Sequence, residues 1–219
     1  SANASALNSG LTGYWDGSGT GTQSIDISGH GYTAALGSTA FRTAANGLNG
    51  NYINRTPASS QTDGTWTKSD NGAFDSVGDG NKAFAFSFWY VTTSNSDDTE
   101  DQIVNFVGDP SGDVTHSPFI IQSGNYGGGT WFWRGYSSSR NEIDMSRFAD
   151  GKWHNVVLTE NATGAYGYGD GAPVGSSPLS TGNFGYSTGW NLTFGCREGT
   201  ANNNTQCSKL GSEFAPNLG

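Results

Sequence analysis

Two Asp-Gly pairs, Asp150-Gly151 and Asp170-Gly171, bracket the stretch that most constrains what this chain can fold into. Just after the first comes Trp153-His154-Asn155-Val156-Val157-Leu158-Thr159, and just before the second comes Tyr168-Gly169. Asp-Gly is turn chemistry, while Trp, Val, Leu and Thr favour a pleated, mostly buried surface. The pattern predicts a strand, a reversal and a second short strand that ends on a turn.

The rest of the chain repeats that grammar. Lys82 to Val91 alternates so that Phe84, Phe86, Phe88 and Tyr90 share one face and Ala85, Ser87 and Trp89 the other, which makes the first set a core face. Further strands are expected at Leu11 to Trp15, in a short segment Ile25-Asp26-Ile27, and as two strands within 32–54. Others are expected at Gln102 to Val107, Phe119 to Gln122, Thr130 to Tyr136, Glu142 to Met145 and Gly189 to Gly195. Residues 56–81 are polar and rich in turn formers, and read as a long surface excursion. No amphipathic helix of ordinary length and no internal repeat is visible. Gly accounts for 34 of 219 residues and Ser plus Thr for 49, while only 13% are charged. With 12 Phe, 9 Tyr and 7 Trp to bury, such a chain is expected to be one strand-rich sandwich with an aromatic core.

Charge narrows the partners. The formal net charge is −9 and Lys and Arg form no cluster, so nucleic acid and anionic lipid surfaces are not expected to bind. No apolar run approaches the roughly 20 residues that span a bilayer. The chain begins Ser-Ala-Asn-Ala-Ser, with its one Met at position 145, as a processed secreted chain or a trimmed one would. Cys196 and Cys207 flank a polar loop that would gain from a cross-link, so a disulfide in an oxidising compartment is favoured over two buried thiols. Sequons occur at Asn3, Asn54, Asn161, Asn191 and Asn203, about as many as 20 Asn and 49 Ser or Thr produce by chance.

Six segments, in order, resemble a known family: Gly13-Tyr14-Trp15; Asp26-Ile27-Ser28-Gly29-His30-Gly31; Phe84 to Trp89; the Trp153-His154 strand; Tyr168-Gly169-Asp170-Gly171; and Leu192-Thr193-Phe194-Gly195. The set is similar to concanavalin A-like jelly rolls, and among them to the laminin G-like and pentraxin-like modules. The resemblance implies an all-β, two-sheet antiparallel jelly-roll sandwich, one domain over 1–219, with residues 1–12 as a polar leader and 196–219 as a disulfide loop and irregular tail. Modules of this kind usually close with a strand that returns beside the first. Here the ending Phe214-Ala215-Pro216-Asn217-Leu218-Gly219 is expected to lack it. That would mean a degenerate strand, a cut chain, or an open sheet edge that a neighbouring molecule completes.

The resemblance also points to sites. Asp26 stands where family members can hold Ca²⁺, with Asp16 and Asp170 as candidate helpers; the alternative is an Asp that only caps its own turn. Glu142-Ile143-Asp144 resembles the first two carboxylates of laminarinase-type glycoside hydrolases. The third is missing, since Met145, Ser146 and Arg147 follow, so no catalytic residue is assigned. Trp131, Trp133, Arg134 and Tyr136 are the candidate glycan-binding residues. Trp131 and Trp133 alternate with Phe132 and Arg134, so the platform exists only if Phe132 faces the core. The acidic run Asp97-Asp98-Thr99-Glu100-Asp101 reads as a solvated loop. The resulting expectation is a secreted or surface-associated, non-enzymatic recognition module for glycan or protein surfaces, with Ca²⁺ ordering its loops. A structural subunit that self-assembles through an open sheet edge is the second reading, and a polysaccharide hydrolase the third.

Overall fold

The computed structural model describes residues 11–15, 23–36, 40–44, 51–55, 65–67, 83–90, 101–107, 119–123, 130–134, 141–144, 146–148, 150–178, 191–194 and 213–215. Among these, the strands in chain order are β1 (Gln23–Ser24), β2 (Ala34–Leu36), β3 (Ala40–Ala44), β4 (Asn51–Arg55), β5 (Thr65–Thr67), β6 (Phe84–Tyr90), β7 (Asp101–Val107), β8 (Phe119–Ser123), β9 (Thr130–Arg134), β10 (Asn141–Asp144), β11 (His154–Asn161), β12 (Gly164–Gly169), β13 (Ala172–Pro178), β14 (Asn191–Phe194) and β15 (Glu213–Ala215). A 3₁₀ turn, Ser146–Phe148, joins β10 to the loop before β11. The strands make two antiparallel sheets. One runs β1-β2-β5-β14-β7-β8-β9-β10 and the other β13-β12-β11-β6-β15-β4-β3. The sheets approach each other along one side, where β10 lies beside β13.

The core of the seven-stranded sheet follows from alternation and size matching. On β6, Phe86 and Phe88 are buried with their rings edge to face, 6.2 Å apart. Across the ladder, Val156 stands opposite Phe88 and Leu158 opposite Phe86; Phe88, Val156 and Leu158 are each 0% exposed. On the far side, β12 offers Gly169 to Val156 and Gly167 to Leu158. Bulky, branched and bare positions therefore stand side by side. Above Gly169 the space belongs to Phe148 of the 3₁₀ turn, whose ring occupies the place a Cβ would take. The same face of β11 continues to Glu160, buried opposite Phe84 and Ala165.

Several expectations need correcting. The excursion over 56–81 contains β5, which lies inside the eight-stranded sheet between β2 and β14. Three residues, Thr-Trp-Thr, are too few to show a period. The 32–54 region holds β2, β3 and β4 rather than two strands. The turn at Asp170-Gly171 leads straight into β13, a strand whose Gly, Ser and Pro hid it. Of Leu11 to Trp15, only Trp15 pairs, in a single antiparallel bridge to Asp26.

The irregular tail expected over 196–219 includes β15. It slots between β4 and β6, with Phe214 opposite both Ile53 and Tyr90. The chain thus fills the position that an open-edge assembly would have left to a neighbour. No helix among the described residues is long and apolar enough to cross a membrane.

Two substitutions probe this core. Gly169→Val, which drives a side chain into the Phe148 ring, is expected to cost about 1–3 kcal/mol. Phe88→Ala is expected to cost about 3–5 kcal/mol. Urea unfolding followed by tryptophan fluorescence would measure both.

Candidate functional site

The eight-stranded sheet carries one unbroken row of paired residues from edge to edge. It reads Gln23, Ala35, Trp66, Thr193, Asn105, Ile120, Trp133, Glu142. The adjacent row reads Leu36, Thr65, Phe194, Val104, Ile121, Phe132, Ile143. Adjacent rows of a pleated sheet lie on opposite faces. Described side chains on β1 and β2 tell the faces apart. Gln23 is exposed, as are Ile25 and Ile27 at 42% and 43%, whereas Ala34 and Asp26 between them in phase are buried. The first row therefore belongs to the outward face and the apolar second row to the inward one. Register adds a second outward set, in which Trp131 is flanked by Gln122 on β8 and Asp144 on β10.

Among the sequence candidates, Trp131 and Trp133 come together on this face with Glu142 and Asp144. Arg134 falls on the opposite face by alternation, and Tyr136 lies outside the described residues. Trp66 joins the outward row as a position the sequence reading passed over, because its strand was not visible as one.

Asp26 organises the other end of the same sheet. Its Oδ1 accepts main-chain N–H bonds from Tyr14 and Ser28, both at 2.9 Å, and its Oδ2 accepts one from Tyr32 at 3.0 Å. Trp15 Nε1 donates to the Tyr32 carbonyl at 2.7 Å, and the His30 ring stacks on Tyr32. Gly29 and Gly31 hold φ values of 93° and 81°, which side-chain-bearing residues rarely adopt. Each position of the Asp-x-Ser-Gly-x-Gly motif thus has a local duty. Burial raises the Asp26 pKa, but the Ser28 side chain and the three main-chain donors outweigh it and leave the carboxyl more acidic than usual.

A second carboxylate site lies where β11 begins. His154 Nδ1 is 2.8 Å from Asp170 Oδ2, and its Nε2 is 2.8 Å from Asp150 Oδ1. Asp170 and Gly171 form the two-residue turn between β12 and β13, with φ of 51° and 79° as a type I′ turn requires. Asp170 also exchanges bonds with Asn155, its N–H donating to the Asn155 carbonyl and its Oδ1 accepting from the Asn155 N–H. The His154 ring packs on Phe148, centroids 5.0 Å apart. Burial lowers the His154 pKa, but the bonds to Asp150 and Asp170 more than reverse that and raise it. The His154 bond in turn holds both carboxyls below the ordinary carboxylate range. With both ring nitrogens committed, this imidazole is a clamp between two turns and has no nitrogen free for proton transfer.

Calcium takes six to eight oxygen ligands. Around Asp26 three N–H dipoles already balance the carboxylate, and Asp170 is committed to His154 and Asn155. No group of three His, Cys, Asp or Glu side chains converges as a metal site among the described residues. These residues do not fit the ion by themselves. Asp16, the remaining candidate, lies outside the described residues, as do Cys196, Cys207 and the acidic run from Asp97 to Glu100.

Known proteins resolve the ancestry. A family model named Laminin_G_3, described as the concanavalin A-like lectin/glucanases superfamily, matches residues 67–207, more than half of the chain. The chain belongs to that superfamily. No curated protein sequence matches this concanavalin A-like chain. Among solved structures it is similar to the binding domain of botulinum neurotoxin DC in complex with rat synaptotagmin II, with 13% identity and a TM-score of 0.68, covering 97% of this chain and 48% of that one. It is similar at 12% identity and a TM-score of 0.67 to the binding domain of Paraclostridial Mosquitocidal Protein 1, covering 97% and 49%. A Trypanosoma rangeli sialidase aligns at 12% identity and a TM-score of 0.61, over 96% of this chain and 30% of the sialidase. The chain spans about half the length of the toxin binding domains that it matches. At these identities the likeness establishes the concanavalin A-like jelly roll and nothing finer.

The clamp predicts a stability profile. The His154 pKa is raised in the folded state, so its contribution is complete below 6.5 and is lost as pH rises through the raised value. The Asp150 and Asp170 values are lowered, so theirs is present above 3.8 and is lost as pH falls. The difference in melting temperature between the wild-type concanavalin A-like chain and His154→Gln should be widest between 3.8 and 6.5 and should narrow on either side. For Asp26→Ala we expect a loss of about 1–3 kcal/mol. Hydrogen exchange should quicken selectively at the Tyr14, Ser28 and Tyr32 amides.

Proposed function

We propose that this chain is a carbohydrate-recognition module that acts outside the cell, and that its sugar site is the outward face of the eight-stranded sheet. The row that places Trp133 between Ile120 and Glu142, next to the set Gln122, Trp131, Asp144, carries the proposal. Indole faces receive the C–H faces of pyranose rings, and amide and carboxylate groups exchange hydrogen bonds with ring hydroxyls. Trp66 and Asn105, further along the same row, would extend the surface to a chain of several sugars.

The fold is compatible with such partners. One structural neighbour is described by a cell entry dependent on interaction with two ganglioside molecules, and another was determined with rat synaptotagmin II. The exposed pair Ile25 and Ile27, on the same face, favours a protein surface as the second reading. Recognition without cleavage is proposed because β10 brings two carboxylates and then Ser146 where the resembled hydrolases carry a third.

A glycan array followed by calorimetry on the best ligand tests the site. Trp131→Ala and Trp133→Ala should each weaken binding about tenfold, equivalent to about 1.4 kcal/mol, with melting temperature little changed. The bound oligosaccharide should be recovered intact. Absence of any glycan ligand, or full affinity in both variants, would remove this reading. New reducing ends that vanish in Glu142→Gln would replace it with a hydrolase.

A further inference from the structure

We infer that Asn161 is an N-glycan acceptor, the sequon that the described residues present for modification at an exposed hairpin tip. Asn161-Ala162-Thr163 forms the tip of the hairpin between β11 and β12, where Asn161 pairs with Gly164 and all three sequon residues are exposed. The Thr163 main-chain N–H donates to Asn161 Oδ1 at 2.8 Å, and the Thr163 hydroxyl donates to the same oxygen at 2.6 Å. An N–H can only donate, so the atom it meets is the amide oxygen, and Nδ2 is turned away from that contact. The Tyr166 hydroxyl lies 2.8 Å from Thr163 Oγ1 and, because that hydroxyl is already donating, it supplies the proton of this third bond.

The arrangement suits the chemistry of transfer. The acceptor nitrogen attacks the anomeric carbon of an oligosaccharide carried on a lipid pyrophosphate. A C–N bond forms, the anomeric C–O bond breaks, the lipid pyrophosphate leaves with the electron pair, and one amide proton passes to a base of the transferase. Two donors on Oδ1 stabilise the negative charge that gathers on oxygen as that proton departs. The main-chain donor would survive substitution at 163, whereas the hydroxyl donor depends on Thr163, the residue the sequon requires.

The other placed sequons differ. Asn54 sits in β4 with partners on both sides, Phe41 and Glu213. Asn191 opens β14, and the Thr193 of its sequon is paired with both Trp66 and Asn105. Asn3 and Asn203 lie outside the described residues. The Asn161 tip is separated from the His154 clamp by the length of β11, seven steps or about 23 Å. It also belongs to the seven-stranded sheet, so a glycan there leaves the proposed sugar site uncovered.

The test is secretion of the full chain from eukaryotic cells, with glycopeptide mapping of the material in the medium. We expect a glycan on the Asn161 peptide. Thr163→Ala should abolish it as completely as Asn161→Gln does, while Thr163→Ser retains it. Circular dichroism of each secreted variant should show the same β spectrum, which separates a lost acceptor from a lost fold. An unmodified Asn161 in the secreted wild-type chain would overturn the inference. Failure of the sugar-binding reading would leave this result untouched, since no residue is shared between the two.

Discussion

Strand register is the constraint on which everything else in this molecule depends. Side chains alternate every residue, so a slip of one position in β9 would exchange Trp131 and Trp133 for Phe132 and Arg134 on the outward face. The slip would also put two indoles where the apolar row needs Phe132 between Ile121 and Ile143. Register alone therefore ties the composition of one face to that of the other. The irregularity between Gln102 and Val104 on β7 serves the same end, since it brings Val104 into line with Ile121 and Phe194, and Asn105 into line with Ile120 and Thr193.

Two of the described carboxylates, Asp26 and Asp170, serve as acceptors for the backbone. Asp26 gathers three N–H groups of the N-terminal loop, and Asp170 ties its turn to Asn155 while gripping His154. Both lie at the ends of strands, where unpaired main-chain groups accumulate and a short acidic side chain can answer several at once. A net charge of −9 on so lightly charged a chain thus includes groups spent on architecture, and it cannot be read as a simple count of cation ligands.

Much of the sandwich was legible before any coordinates. The alternation in β6 marked Phe86 and Phe88 as core, and the two Asp-Gly pairs marked the turns around β11 and β12. The motif from Asp26 to Gly31 stood out through its resemblance to the laminin G-like modules, and the structure gives the reason for its glycines, both at positive φ. Legibility ended where segments were short or their pairing distant. Trp66 lies in a three-residue strand, Glu213–Ala215 finds its partners far back in the chain, and β13 has Gly, Ser and Pro at five of its seven positions, residues that carry little strand signal of their own. The sequence placed His154 in a strand after Trp153. That Asp150 and Asp170 would hold it from two sides was not readable, since they flank it at separations of 4 and 16 residues.

What the sequence determined by itself was an all-β chain with an aromatic core, since period-two patterning and turn chemistry are local and act wherever they occur. What the tertiary structure decided was which face of the eight-stranded sheet is outward, where the last strand goes, and which turns meet at His154. Those outcomes depend on contacts between residues far apart in the chain, and alternation alone is symmetric between the two faces until burial of one breaks the tie.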